Sequence, residues 1–460
     1  MASVMSAGEA PHFALLPSAG MGHLTPFLRL AAMLASGGAT ITFICPTPVV
    51  SAAEAVHVDD LVSFSPSFRR LDFPLPPFDV STAASKDPFF LQFESIRRAA
   101  SLLGPILSSV SPPPSALILD VTLTSAFVPI ARAISLPVYI MFTSSAWMLS
   151  LFLSFPRTAS RGGAIEVPGL AETLPASALP QALRDPNNLF TIQFFENGKA
   201  MADADGIIVN TWEALEPTTL AALNAGEVVP GLPPVIPVGP LHPSEKSGPS
   251  ALPWLDAQPD SSVIYVSFGS RTALPPEQIR ELAAGLENSG CKFLWVLKTK
   301  KVDKEEREDG ERAMNEFLGE GFFERMEGRG KVVKGWVDQQ AVLRHPAVGG
   351  FLCHCGWNSV TEAAVSGVRV LAWPRHGDQR INAMVVEKSG LGKWPKEWSW
   401  DGDDETVRGE EISQRIRALM AESATAAAKV KEQAIGAASD GGSSHRHLEH
   451  LVEKFKIRRL

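Results

Sequence analysis

The chain has 460 residues, enough for two ordinary domains and too many for one simple core. With 45% hydrophobic and 20% charged residues it reads as globular, and a formal net charge of −8 removes the case for nucleic-acid binding through a basic face. Four cysteines (Cys45, Cys291, Cys353 and Cys355) make no disulfide framework in so long a chain and read as reduced thiols of a cytoplasmic protein.

Met1 to Pro11 carry neither a basic stretch nor an apolar run, unlike a secretory signal. His12 to Pro17 is strand-like, Ser18 to Gly22 is a turn, and Leu24, Phe27, Leu28, Ala31 and Leu34 recur at helical spacing. Ala39 to Cys45, Ala116 to Asp120, Val138 to Phe142 and Ile207 to Asn210 read as further strands. The apolar run Val138 to Phe155 holds Thr143 and four serines between Pro137 and Pro156, so it reads as strand then helix rather than a membrane span. Gly231 to Pro253 is dense in Pro and Gly; the expectation there is a linker that continues neither sheet nor helix.

Beyond it the alternation restarts, with strands at Val263 to Phe268, Phe293 to Leu297, Val348 to Cys353 and Val370 to Trp373, and a helix face at Ile279, Leu282, Ala283 and Leu286. Lys300 to Arg329 is the most polar stretch and reads as a solvated mobile loop. In the terminal segment Leu448, Leu451, Val452 and Phe455 form one helix face. The pattern predicts an α/β protein of two Rossmann-like domains with parallel sheets facing across a cleft. The expected parts are an N-terminal domain over 1–242, a linker over 243–252, a C-terminal domain over 253–442, and a helix over 443–460 packing back toward the N-terminal domain.

The chemistry concentrates between Trp336 and Gln379. A strand ending at Cys353 runs through His354-Cys355-Gly356 into a helix that opens with Trp357, Asn358 and Ser359. Unpaired N–H groups and the dipole make such a helix start a phosphate site, with His354, Asn358 and Ser359 as added donors. Ser359 and Glu362 are also spaced as a capping box, which needs no ligand. Trp336 offers a flat face for a nucleobase, and Asp378 with Gln379 offers acceptors and an amide suited to sugar hydroxyls. Zinc at Cys353-His354-Cys355 fails for want of wider spacing and a second cluster, so no metal is expected.

The motif Trp336…Gln339…His354-Cys-Gly-Trp357-Asn358-Ser359…Glu362…Asp378-Gln379 resembles the donor-binding box of plant family 1 UDP-glycosyltransferases. The likeness runs from Pro17-Ser-Ala-Gly-Met-Gly-His23 through Tyr265-Val-Ser-Phe-Gly-Ser270 to Gly441-Gly-Ser-Ser444. The resemblance implies the GT-B architecture, acceptor held by the N-terminal domain and UDP-sugar by the C-terminal one. It implies Trp336, with Val337 beside it in the donor set, on uracil; Gln339 and Glu362 on ribose; and Ser270, His354, Asn358 and Ser359 on diphosphate. Trp357, Asp378, Gln379 and Thr143 then fall on the sugar. Gln379 in the last position is the family's glucose-type choice. The box departs from the commoner Trp-Ala-Pro-Gln in reading Trp336-Val-Asp-Gln339, and Cys353 replaces Thr or Ser.

His23 follows the first strand and Asp120 ends a later one, and strand carboxyl ends line the cleft of an open α/β sheet. A neutral His suits the deprotonation of a phenol, and a buried carboxylate would hold its tautomer. Both positions match the family's His–Asp dyad, which implies direct inverting displacement with UDP leaving and no cofactor beyond the donor UDP-glucose. Asp120-Val121, Ser270-Arg271-Thr272, Val296 to Asp303 and Arg375 to Asn382 further resemble the flavonoid C-glucosyltransferases. The favoured product is a C-glucoside on a phloroglucinol-type ring such as that of phloretin or a 2-hydroxyflavanone, with O-glucosylation as the alternative. Phe89, Phe93 and Phe194, with Phe90 and Phe195 beside them, are candidates for an aromatic acceptor wall and equally for core packing. Expected partners are the phenol and the UDP-sugar, for a monomer without membrane span or nucleic acid. Gly20-Met21-Gly22 followed by Thr25 and Pro26 fails the dinucleotide fingerprint, and no acidic residue follows the second strand at Cys45-Pro46. A catalytically silent nucleotide-sugar binder would be expected to lack His23 or Asp120; both are present.

Overall fold

The computed structural model describes residues 10–64, 67–77, 79, 81, 86–158, 164–170, 173–241, 253–300, 311–398 and 405–456. The proposed linker 243–252 lies outside them. Two compact units emerge, the first made of 1–177, 182–245 and 436–460 and the second of 178–181 and 246–435.

The first unit is built on seven strands: β1 (His12–Leu16), β2 (Thr40–Thr47), β3 (Phe68–Pro74), β4 (Ala116–Asp120), β5 (Val138–Phe142), β6 (Gly206–Val209) and β7 (Val235–Pro237). They are parallel, in the order β3-β2-β1-β4-β5-β6-β7. Helices cover such a sheet on both faces, so β1, β4 and β5 are buried along their whole length and read as continuous apolar runs. Order reverses between β1 and β4, and the crevice at that switch point is where an open α/β sheet receives ligands. The terminal helix Ser443–Lys454 belongs to this unit: Leu448, Leu451 and Val452 join its core, Ser444 donates to the Gly239 carbonyl, and Phe455 packs edge-on against Phe13 and Tyr139.

The second unit holds six parallel strands, β8 (Val263–Ser267), β9 (Lys292–Val296), β10 (Gly330–Val333), β11 (Val348–Cys353), β12 (Arg369–Ala372) and β13 (Gly392–Lys393), in the order β10-β9-β8-β11-β12-β13. Its switch point lies between β8 and β11.

Two expectations need correction. The Pro-rich stretch after Gly231 does continue the first sheet, since Val235–Pro237 pairs with β6. Proline is tolerated there because β7 is an edge strand whose outer N–H groups have no ladder partner. Likewise Lys300 to Arg329 is not wholly loop. Residues 301–310 lie outside the description, but Glu311–Leu318 and Phe322–Arg325 are helices that bury Leu318 and Phe322 in the core, with Met326 just after the second.

Candidate active site

The first constellation lies at the carboxyl ends of β1, β4 and β5. After β1 the chain turns at Gly20, whose φ of 92° suits a residue without Cβ, and enters the helix Met21–Ser36. Its N–H is accepted by the buried Glu54 carboxylate, which also takes the Ser51 N–H at 2.9 Å. His23 therefore sits in the first helical turn rather than in the preceding loop. Its Nδ1 lies 2.8 Å from Asp120 Oδ2, with Asp120 fully buried and the His23 side chain 28% exposed. The other carboxylate oxygen, Oδ1, accepts from the Thr122 N–H at 2.9 Å and its hydroxyl at 2.6 Å. Nothing but donors faces the carboxylate in these contacts, so Nδ1 carries the proton and Nε2 is the basic nitrogen.

One residue around this pair was not foreseen, and a second makes a contact that was not. Asn197, on the helix Leu189–Ala200, donates to the Thr122 carbonyl at 3.0 Å and accepts from the Ser125 N–H at 2.9 Å, clamping the turn that aims Asp120. Thr143, expected on the sugar, has its Oγ1 3.3 Å from His23 Nδ1. Side-chain contacts with distant backbone of this kind leave no periodic signal in a sequence.

The second constellation is built from loops after β8, β10, β11 and β12. Trp336 follows β10 and is 57% exposed, an unusual state for so large an apolar ring; Val337 beside it is half-buried. Asp338, the departure from the commoner motif, has a local reason. Its carboxylate caps the helix Gln339–Arg344, accepting from the Gln340 and Ala341 N–H groups at 3.1 Å each. Gln339 is thereby held so that its amide donates to Ser359 Oγ at 3.0 Å and to Glu362 Oε2 at 2.7 Å. The helix Trp357–Ser366 starts after Gly356, so Ser359 is its third residue and not its cap. The capping-box reading of Ser359 and Glu362 is thus excluded by position, and both are bound instead to Gln339.

His354 follows β11. Cβ atoms added at Gly269 or Gly356 would stand 2.6 and 2.5 Å from its Nε2, so two glycines make room for the ring. Its Nδ1 is fully enclosed without a protein partner. Burial, reinforced by the neighbouring His376, pushes its pKa down to about 3, so the ring is neutral near pH 7. Burial also pushes the Cys355 thiol well up, which keeps it protonated and inert. Asn358 stands half-buried beside the buried Trp357 in the same first turn, and Ser270 is half-buried in the loop after β8.

Asp378 and Gln379 open the helix Gln379–Ser389. Asn382, one turn on, donates to Asp378 Oδ2 at 2.9 Å and to the Cys355 carbonyl at 3.1 Å, tying that carboxylate to the His354 turn. Gln379 Oε1 accepts the N–H groups of Arg375 and His376 at 2.8 and 2.9 Å. Its acceptor side is therefore occupied, and one N–H of its NH2 faces His376 Nδ1 at 3.4 Å. Phe89, Phe93 and Phe194 are all buried, and Phe194 meets Phe152, Phe155 and Phe190 with centroids 4.2 to 5.8 Å away. That is the packing of a core ring.

A family profile described as UDP-glucoronosyl and UDP-glucosyl transferase matches residues 228–394. Over 457 residues the chain is 51% identical to "UDP-glycosyltransferase CGT" of Oryza sativa subsp. japonica, covering 96% of each sequence. The chain belongs to the UDP-glycosyltransferase family. The enzyme also superposes on the crystal structure of LpCGTa in complex with UDP, at 67% identity and a TM-score of 0.88, covering 98% of this chain and 100% of that one. TcCGT1 in complex with UDP follows at 32% identity and a TM-score of 0.86, with the same coverage. The two parallel-sheet units of this UDP-glycosyltransferase are thus those of the GT-B architecture, and its donor is a UDP-sugar. No helix among the described residues is long and apolar enough to cross a membrane.

Proposed function

We propose that this UDP-glycosyltransferase transfers glucose, with inversion, from UDP-glucose to a phenolic acceptor, forming a C-glucoside on a phloroglucinol-type ring. The observation that carries the reading is the 2.8 Å contact between His23 Nδ1 and the fully buried Asp120 carboxylate. In this reading His23 Nε2 takes a phenolic proton, and the electron pair delocalises onto the ortho carbon. That carbon attacks the anomeric carbon on the face opposite UDP, the bond to the diphosphate oxygen breaks, and loss of the ring proton restores the aromatic system. Asp120 stabilises the imidazolium and does not itself take the proton.

The donor roles follow the second constellation. Trp336 stacks on uracil with Val337 at its edge, and Gln339 and Glu362 meet the ribose. The diphosphate charge that grows as UDP leaves falls to Ser270, Asn358, Ser359, the start of helix Trp357–Ser366 and neutral His354. Trp357, Asp378 and Gln379 take the hexose, and Thr143 serves it from beside the base. Carbon as the acceptor atom is supported by the CGT designation of the relatives at 51% and 67% identity, as expected of a C-glycosyltransferase.

Incubation with UDP-glucose and phloretin, followed by tandem mass spectrometry and acid hydrolysis, tests this. A product that survives acid and fragments across the sugar ring is expected. A product that loses an intact hexose means O-glucosylation and overturns the carbon assignment. Hydrolysis of UDP-glucose with phloretin unchanged overturns the acceptor.

A further inference from the structure

Thr272 and His376 belong to no role assigned above, yet His376 reaches Gln379 and Thr272 reaches His376. Thr272 is buried in the segment after β8, and His376 lies in the segment after β12, one strand beyond the β11 exit that carries His354. His376 Nε2 lies 3.2 Å from Thr272 Oγ1, and its Nδ1 lies 3.4 Å from Gln379 Nε2.

The direction of this chain follows from chemistry. Gln379 Oε1 holds two backbone N–H groups, at 2.8 and 2.9 Å, which fixes the amide with oxygen toward Arg375–His376 and NH2 away. An NH2 only donates, so the imidazole nitrogen facing it accepts. The ring proton is then on Nε2 and donates to Thr272. Gln379, 4% exposed, is thus held through both ends of its amide and presents a single remaining N–H at a fixed angle. A hydroxyl oxygen of one configuration accepts from that N–H, whereas the epimer with the hydroxyl turned away leaves it unpaired. Hydrogen-bonded sites discriminate against such analogues far more strongly than apolar ones do.

We infer that Thr272 and His376 are positioning residues that fix the Gln379 amide and so set which hexose the enzyme accepts on UDP. This rests on the reading of Gln379 as a ligand of the donor sugar. Gln339 and Glu362, assigned to the ribose, are bound to each other, so UDP serves as the control that separates the two.

The test measures calorimetric Kd values of the full chain for UDP, UDP-glucose and UDP-galactose, with Tm as a check on folding. The variants are His376→Phe, which removes both nitrogens, His376→Asn, which keeps an acceptor near Nδ1, Thr272→Val and Thr272→Ser. His376→Phe and Thr272→Val should weaken UDP-glucose about tenfold and shrink the glucose-over-galactose preference by a similar factor, as expected for loss of one hydrogen bond. UDP itself should stay within about twofold, and Thr272→Ser and His376→Asn should restore most of the preference. Equal weakening of UDP and UDP-glucose would show a general loop defect and overturn the inference. So would a wild-type preference that the variants leave intact. A wild type that binds both sugar nucleotides equally would instead defeat the underlying role of Gln379.

Discussion

Asp120→Asn is the sharpest probe of the dyad, because it keeps the size of the side chain and removes one acceptor. In the native site Oδ1 receives two donors from Thr122 and Oδ2 receives the His23 Nδ1–H. The asparagine has one oxygen to face one of these sides. With the oxygen toward Thr122, its NH2 meets His23 Nδ1, which must then accept; the proton moves to Nε2 and the base is lost. With the amide flipped, NH2 meets the Thr122 N–H, and an unmatched buried donor costs about 1–3 kcal/mol. That cost alone makes the competent orientation roughly 5- to 150-fold rarer. Loss of the carboxylate charge beside the developing imidazolium removes a further ~1.5–3 kcal/mol, the scale of a charge-assisted hydrogen bond. Together kcat should fall about 10²- to 10⁴-fold at pH 7 by the tenfold-per-1.4 kcal/mol rule, with the Kd for UDP unchanged. Steady-state kinetics with UDP-glucose and phloretin, alongside calorimetry with UDP, give both numbers. A variant that retains more than a tenth of wild-type kcat refutes the dyad as the source of the base.

Trp336→Ala should leave Tm nearly untouched, because the ring is 57% exposed, while UDP affinity falls by the ~1–3 kcal/mol of base–aromatic stacking; an unchanged Kd would remove the uracil assignment. Ser444→Ala strands the buried Gly239 carbonyl at a cost of about 1–3 kcal/mol, so Tm should drop by several degrees with UDP affinity preserved. Acid should destabilise the fold through two histidines. His12 is held below its ordinary pKa chiefly by burial, its Nε2 2.7 Å from Thr42 Oγ1, and His354 is held down to about 3. Above the unfolded value of about 6.5 neither folded nor unfolded form is protonated and the stability is fully present. As pH falls below that value the unfolded chain takes protons that the folded one refuses, and each group removes up to ~1.4 kcal/mol per pH unit until its folded pKa is reached. Buried Glu216, whose pKa is raised chiefly by burial, works in the opposite sense, the fold taking up its proton as pH falls. Differential scanning between pH 7.5 and 5.5 should show Tm falling, and His12→Asn should lessen the fall; a flat profile contradicts the assignment.

The strands that could be read from sequence are β1, β2, β4, β5, β6, β8, β9, β11 and β12, and every one has a neighbour on both sides. Those that escaped, β3, β7, β10 and β13, are the four sheet edges. An inner strand of a helix-covered parallel sheet is enclosed on all sides and spells a run of apolar residues. An edge is not so enclosed: β3 carries Arg69, Arg70 and Asp72, β7 ends in Pro237, and β13 is two residues long. The helices Glu311–Leu318 and Phe322–Arg325 were hidden for a related reason, since their polar faces dominate the composition of the segment.

The same distinction explains what was visible of the site. Residues expected to touch ligand stand in contiguous motifs at strand exits, at the switch points β1/β4 and β8/β11 and on the strands near them. Three residues that aim them, Glu54 on Gly20, Asn197 on Thr122 and Thr272 on His376, come from elsewhere in the fold. Asn197 is 75 positions from its partner and Thr272 104 from its own. Only the folded chain brings them together, and each acts through a group of fixed shape, a carbonyl, a carboxylate or an imidazole. A change in reaction outcome between related enzymes can therefore arise without any change in the motif. Whether carbon or oxygen attacks depends on placement at the ångström scale, and in this enzyme the Asp120 carboxylate that holds His23 is itself held by the turn that Thr122 and Asn197 fix.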